Sequence, residues 1–319
     1  MSPPQQLRIG TRASALALWQ ARHVERLIRA LPGAPPVELV PITTTGDVRT
    51  DVPLWAIRGR AFFTKELDRA LTDGRIDIAV HSLKDLPTAM EPGLALAAVL
   101  EREDPRDALI SRDGTKLPQL PHAARVGTSS LRRRAFLSRA RPDLTLLELR
   151  GNVPTRIERL ERGDYDAIVL AAAGLKRLGL EQRITQYLSP EEFPPAVSQG
   201  AIGICTRAND GYASGWLRPL EDAATRLATT AERALLQRIE GGCQVPLGAL
   251  ATAAGSGIRL RAAVCALDGS RQLTADGGSA ATAAAAEDLG QRLAAELIGK
   301  GAARLIAAER AVQGGAEVP

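Results

Sequence analysis

The sequence predicts an α/β fold: two similarly built α/β domains facing a cleft, plus a smaller C-terminal α+β domain. Three observations carry this. Short apolar runs alternate with helix-period segments from residue 7 to about residue 180, the spacing of strand–helix–strand units with largely parallel pairing. The pattern restarts near residue 125, and its second pass echoes the first: GTRAS (10–14) is matched by GTSSLR (127–132), and IDIAVHSLKD (76–85) by YDAIVLAAAGLKR (165–177). Finally, 319 residues at 45% hydrophobic suffice for two or three domains, each with a core of its own.

In the first pass, 7–10 (LRIG) reads as a strand, 15–30 as a helix with apolar residues at helical spacing, and 37–42 as a strand. Residues 63–71 form a helix, and 76–80 (IDIAV) and 94–100 form strands. The second pass gives strands at 125–127, 144–149 and 165–170, with helices at 131–140 and 153–162. Two crossings join the passes: EREDPRD (101–107), charged and holding a proline, and the proline-rich SPEEFPPAVSQG (189–200). The strand that follows, AIGICTR (201–207), is able to pair back into the first domain. RPLED (218–222) opens the third region, with a helix at 223–239, the GGCQVPLGA turn, short strands around 258–267 and an alanine-rich helix from 284. The expected domains are therefore 1–100 with 200–217, then 105–195, then 222–312.

Composition narrows the function. Lys+Arg number 41 against 36 Asp+Glu, and lysine occurs only at Lys65, Lys84, Lys116, Lys176 and Lys300, so the mild net charge of +5 is almost all arginine. Aromatics make up 3%, too few for a base-stacking surface, and acidic residues interleave the basic ones, which argues against nucleic acid. No P-loop or GxGxxG is present. The three cysteines, Cys205, Cys243 and Cys265, are odd in number and widely spaced, which points to a reducing cytoplasm and not to a disulfide framework. Without CxxC, HExxH or a Cys/His cluster, no metal site is expected. MSPPQQLRIG has no apolar signal core and no apolar run is long enough to span a bilayer, so the expectation is a soluble cytoplasmic monomer.

In α/β domains, ligands bind at the carboxyl ends of strands, where helix N-termini present unpaired N–H groups. Those positions carry Thr11, Arg12 and Ser14, then His81, Ser82, Lys84 and Asp85. In the second pass they carry Thr128, Ser129, Ser130 and Arg132 to Arg134, then Arg150, Asn152, Arg156, Lys176 and Arg177. Hydroxyls and guanidinium forks together are anion-binding chemistry, suited to a ligand with several carboxylates or phosphates. A solvated helix face is the commoner use of a run such as 132–134, but matching chemistry at five strand ends favours a site. Asp85, before Leu-Pro, is either a turn cap or a carboxylate that stabilises a cation and moves a proton. Cys243, between two glycines and Gln-Val-Pro, is either a small core residue or an exposed reactive thiol. Cys205 and Cys265 sit in strands and read as core.

The stretches LRIGTRASALALWQA, IDIAVHSLKDLP, EREDPRDAL, VGTSSLRRRAFL, LRGNVPTRI, YDAIVLAAAGLKRLGL, QGAIGI and EGGCQVPLGA, in this order and spacing, resemble porphobilinogen deaminase (hydroxymethylbilane synthase) over essentially the whole chain. The resemblance implies two α/β domains of the periplasmic-binding-protein type and a third, smaller domain carrying the cysteine. It implies a transferase of haem and porphyrin biosynthesis that joins four porphobilinogen molecules head to tail, losing ammonia at each step, to give hydroxymethylbilane. It also implies a covalent dipyrromethane cofactor on a thioether to Cys243, with the linear oligopyrrole growing on it. On this resemblance Asp85 is catalytic: it stabilises the azafulvenium-like charge left by ammonia and protonates the departing amine. Lys84, Thr128, Ser129, Ser130, Arg132 and Arg133, with Asp85, hold the cofactor, and Arg12, Ser14, Arg150, Asn152, Arg156, Arg177 and Gln199 hold substrate carboxylates.

The chain departs from the family pattern in two places. Before the helix at 63, where the family reads GGKG, it has Arg58, Gly59, Arg60 and Ala61, and Ser198 stands where glycine is usual before Gln199 and Gly200. Both bear on the kinetics of a lid or crossing more than on the catalytic group. The rival class is a solute-binding protein on the same two-lobed scaffold, against which the GGCQVP loop argues.

Overall fold

The computed structural model describes residues 6–48, 64–239 and 245–307. The first pass consists of β1 (Leu7–Arg12), α1 (Ala15–Arg29), β2 (Val37–Ile42), the single turn α2 (Thr45–Val48), α3 (Lys65–Thr72), β3 (Ile78–Ser82) and β4 (Leu94–Val99). The second comprises β5 (Asp107–Ser111), β6 (Arg125–Gly127), α4 (Leu131–Ala140), β7 (Thr145–Leu147), α5 (Val153–Glu161), β8 (Ala167–Ala171), α6 (Ala172–Arg177) and β9 (Gln186–Tyr187). There follow β10 (Ile202–Arg207), α7 (Gly211–Leu217), α8 (Ala223–Arg238), β11 (Leu247–Ala254), β12 (Gly257–Cys265), β13 (Gln272–Ala280) and α9 (Ala283–Gly299). No helix among the described residues is long and apolar enough to cross a membrane.

Local chemistry explains where the helices begin. Ser14 caps α1, its Oγ accepting from the Ala17 N–H at 3.4 Å, and Asn152 caps α5, its Oδ1 accepting from the Thr155 N–H at 3.0 Å. Helix α1 buries Ala17, Gln20, Ala21, Val24 and Ile28, one stripe at helical spacing, against the first sheet. Two glycines in equivalent strands are dictated by close approach. A Cβ on Gly10 would meet Ile76 Cδ1 at 2.2 Å, and one on Gly127 would meet the Tyr165 ring at 2.9 Å.

The internal repeat is visible in the sheets. The first is ordered β2-β1-β3-β10-β4 and the second β7-β6-β8-β5-β9, both five-stranded. In each, three parallel strands are followed by an antiparallel one, β10 or β5, that enters directly after a crossing. AIGICTR thus pairs into the first sheet as expected, against β3 and β4. Largely parallel pairing needs correcting: two of the four neighbouring pairs in each sheet are antiparallel. Strand β5 was hidden because its first residue, Asp107, closes a charged run that reads as linker.

Other boundaries shift modestly. β1 continues two residues past Gly10, β3 starts at Ile78 and runs through Ser82, and β8 starts at Ala167. The short helix α7, with two glycines in its seven residues, gives no periodic signal. The third region also holds more strand than expected. Its sheet, β11-β12-β13, is antiparallel throughout, and two of its strands, LGALATAA and QLTADGGSA, are built from small residues of low strand propensity. They are strands because they pair with β12 and cover a core formed with α8 and α9, including Leu235, Leu260, Leu289 and Leu293.

Among the described residues the chain divides into two units: 6–48, 64–103 and 200–226 form the first, and 104–199, 227–239 and 245–307 the second. Within the second unit the outer half of β12 is buried on both faces, because Ala263 and Cys265 pack with Phe136 and Leu137 of α4.

Ser198, where the family has glycine, adopts φ +64° and is fully buried. Its N–H donates to Glu232 Oε2 at 2.6 Å, and its Oγ has no partner. A left-handed backbone costs a side chain roughly 1–2 kcal/mol, and a buried unmatched hydroxyl adds a similar cost. Ser198→Gly is therefore expected to stabilise the protein by about 1 kcal/mol after allowing for the greater freedom of glycine in the unfolded chain. A higher urea midpoint with unchanged m-value is the expected reading, and a lower midpoint would show that the serine is not strained.

Candidate active site

In the first unit the carboxyl ends of β1 and β3 build one depression. It is lined by Arg12, Ser14, Leu16, Ala17, Gln20, Val80, His81, Ser82 and Asp85. Arg12 is the last residue of β1, and Asp85 lies in a turn of 3₁₀ helix, Leu83–Asp85, that immediately follows β3. Of the residues singled out in this half, Arg12, Ser14, His81, Ser82 and Asp85 share the depression, and Lys84 precedes Asp85 in the same turn. Asp85 is half-buried and its carboxylate forms no hydrogen bond or ion pair with any described residue. Ser14 serves first as the helix cap, an arrangement that also leaves the N-terminus of α1 beside Arg12.

Two polar residues on the floor carry more than strand position suggests. Gln20 is buried on α1 and its Nε2 donates to Ser82 Oγ at 2.8 Å, tying the helix to the end of β3. His81 is 5% exposed, with Nε2 unpaired. Burial, and then the nearby Arg12 charge, push its imidazole down to about 4. The unfolded chain binds this proton near 6.5, the native chain only near 4. The neutral ring therefore contributes stability that is fully present above pH 6.5 and lost as pH falls toward 4, on the order of 3 kcal/mol. His81→Asn is expected to flatten the fall of the urea midpoint over that window. A fall as steep as that of the wild type would show that His81 is not buried neutral.

In the second unit the polar residues fall into distinct structural roles. Thr128 Oγ1 accepts from the Ser130 N–H at 3.2 Å, and Ser130 caps α4 by accepting from the Arg133 N–H at 3.4 Å. Ser129 is buried and joins two strand ends, donating to the Leu149 carbonyl at 2.7 Å and accepting from the Leu149 N–H at 3.2 Å. Asn152 caps α5, and Arg156 on that helix donates through Nε to the Gly151 carbonyl at 2.7 Å. Arg150 is half-buried before the cap, and Arg177 is buried in the last turn of α6. Gln199 Nε2 donates to the Pro105 carbonyl at 2.8 Å and to Asp107 at 2.9 Å.

The arginine run is not a solvated face. Arg132 and Arg133 are both buried and both pair with Asp107, which is itself fully buried. Burial would raise the Asp107 carboxyl, but the two guanidinium charges and their hydrogen bonds outweigh it and hold the group well below the usual carboxylate range. Sequence reasoning missed Asp107. The available signal was the apolar run that follows it, ALI, which marks Asp107 as the first residue of a strand.

Cys243 and the segment Arg58 to Ala61 lie outside the described residues. The described residues that bound the Cys243 stretch, Ile239 and Val245, are both buried in the core of the third region. Cys205 and Cys265 are fully buried in β10 and β12, as their strand settings predicted.

Comparison with known proteins bears on the chemistry. Residues 7–214 match the family described as porphobilinogen deaminase, dipyromethane cofactor binding domain, and residues 226–299 match porphobilinogen deaminase, C-terminal domain. A porphobilinogen deaminase of Syntrophotalea carbinolica is 50% identical over 302 residues, covering 95% of each chain. Among solved structures, the VFT2 domain of Bordetella pertussis BvgS aligns over 66% of this chain and 84% of its own, at 16% identity and a TM-score of 0.41. A nutrient binding protein from Burkholderia cenocepacia bound to methionine aligns over 66% and 90%, at 16% identity and a TM-score of 0.44.

Proposed function

This chain belongs to the porphobilinogen deaminase family, and from that premise we propose which of its residues perform the reaction. The family's members are transferases of tetrapyrrole biosynthesis that make hydroxymethylbilane from porphobilinogen, with a dipyrromethane cofactor. The observation that carries our assignment is the Asp85 carboxylate, which has no protein partner among the described residues and shares a depression with Arg12. In this reading Asp85 is the catalytic group. It accepts hydrogen bonds from pyrrole N–H groups, offsets the positive charge that builds on the ring as ammonia departs, and delivers a proton to the leaving amine.

The residues fit the cofactor. Dipyrromethane presents ring N–H groups and acidic side chains, and Arg132 Nε is a buried donor without a partner, which a carboxylate would satisfy. Lys84, Thr128, Ser129, Ser130 and Arg132 would hold the group directly and Arg133 through its pairing with Asp107, with Cys243 as its thioether anchor. Bound there, it supplies the pyrrole carbon to which substrate is joined. Arg12, Ser14, Arg150, Asn152, Arg156, Arg177 and Gln199 would orient the carboxylates of incoming porphobilinogen and of the linear oligopyrrole. The hydroxyls and Asn152 that cap helices do this indirectly, by fixing the helix N-termini whose N–H groups face the anion.

The reading extends to three domains, bounded near 100, 200 and 222; each has its own sheet, and the third, besides its core with α8 and α9, packs Ala263 and Cys265 into the core of the second. It also places the protein in the cytoplasm as a monomer that engages no nucleic acid. Incubation with porphobilinogen tests the central claim: one ammonia should be released per porphobilinogen consumed, with hydroxymethylbilane as product. Binding of porphobilinogen without ammonia release would identify a solute-binding protein instead.

A further inference from the structure

Inside the second unit, two guanidinium groups meet one carboxylate. Asp107 Oδ2 accepts from Arg132 Nη1 at 2.7 Å, while Oδ1 accepts from Arg133 Nη2 at 2.8 Å and from Arg133 Nε at 3.1 Å. Arg132 Nη1 also donates to the Pro194 carbonyl at 2.7 Å, and Arg133 Nη1 to the Val169 carbonyl at 2.9 Å. Gln199 Nε2 donates to the same Oδ1 at 2.9 Å.

The two arginines differ in the edge they leave available. A guanidinium carries five N–H donors, and the hydrogens of Nε and Nη2 run parallel, forming an edge that grips a carboxylate with two bonds. Arg133 has committed that edge to Asp107. Arg132 is held by Nη1 alone, with both hydrogens of that nitrogen taken, while Nε is buried without a partner and Nη2 makes no hydrogen bond. An unmatched buried donor is costly, so its persistence here points to a ligand that completes it.

We propose that Asp107 is a positioning residue: it pins Arg132 through Nη1, so that the Nε–Nη2 edge presents to a carboxylate of the bound pyrroles, and it removes the same edge of Arg133 from competition. The inference rests on the cofactor reading above. With Asp107 in place one edge defines one carboxylate position, and therefore one register for the pyrroles along α4. Without it, two neighbouring arginines offer equivalent edges. Gln199 then acts through Asp107, linking the second crossing to this arrangement.

Two measurements test it. In the first, the arginine Nε–Hε resonances of the pyrrole-free Cys243→Ser chain are compared with those of the loaded wild type, with assignments made from Arg132→Lys and Arg133→Lys. The Arg132 resonance should move on loading and that of Arg133 should stay. Movement of Arg133 alone, of both, or of neither overturns the division of edges, and this arm needs no Asp107 variant. In the second, Asp107→Asn is supplied with graded porphobilinogen, and the fraction of folded chains carrying two added pyrrole units is read by intact mass after size exclusion. Half-loading should need about tenfold more porphobilinogen than the wild type, roughly the loss of one charge-assisted hydrogen bond. Folded variant that loads at wild-type concentrations, even with a lowered melting temperature, leaves Asp107 merely structural and overturns the proposal. A wild-type chain that gains no pyrrole mass under the same supply overturns the cofactor reading itself, an outcome distinct from both of these.

Discussion

Asp85→Asn is expected to give a folded protein, loaded with pyrroles, whose turnover of porphobilinogen falls at least about a hundredfold, the lower end of what a positioned acid contributes. The substitution preserves shape and removes only the charge and the transferable proton. Because the carboxylate has no ion pair or hydrogen bond with any described residue, its loss strands no partner, and stability should change by less than about 1 kcal/mol. The two readouts separate chemistry from folding: intact mass and melting temperature should match the wild type, while ammonia release should not. Near-normal turnover would sink the assignment of Asp85. Lost turnover together with lost pyrrole mass would move Asp85 from catalysis to cofactor assembly.

The second large effect concerns Cys243. Wild-type chain supplied with porphobilinogen should exceed its sequence mass by two pyrrole units, and Cys243→Ser should show none of that excess. The reason is partly exclusion. Of the three cysteines, Cys205 and Cys265 are fully buried in strands, where neither electrophile nor solvent reaches the sulfur. It is also chemical, since a thiol yields a thiolate near neutral pH and a serine hydroxyl does not yield an alkoxide. Pyrrole mass retained in Cys243→Ser would place the anchor elsewhere in the chain.

Much of this was legible in the sequence for identifiable reasons. Helices α1, α4 and α5 announce themselves through Ser14, Ser130 and Asn152 at their caps, each followed by residues at helical spacing. β2 and β6 were placed with their observed bounds. The paired GTRAS and GTSSLR segments correctly signalled two sheets of one design, now seen as the same strand order with the same antiparallel insertion. What escaped was pairing that depends on distant chain. β5 and β9 gain strand character from β8 and from each other, and β13, with two adjacent glycines, gains it from β12.

The candidate site divides in the same way. Residue identity alone was enough to gather Arg12, Ser14 and Asp85, because each stands at or just beyond the carboxyl end of a parallel strand. Asp107 could not be found by that rule. It begins an antiparallel strand, and in the sheet register it sits opposite Ala171, the last residue of β8. An N-terminal residue thus arrives at the carboxyl edge of the parallel strands, where the arginines are.

Linear order, cap chemistry and motif spacing therefore determined the family, the elements and the list of polar side chains, because each of those is written in neighbouring residues. Which guanidinium edge is available and that Ser198 bears a left-handed backbone were decided by tertiary structure alone. Those properties depend on what lies within about 3 Å of a group once the chain has folded, the reach of a hydrogen bond. For Arg132 and Arg133 that neighbour begins a strand some twenty-five residues earlier in the chain.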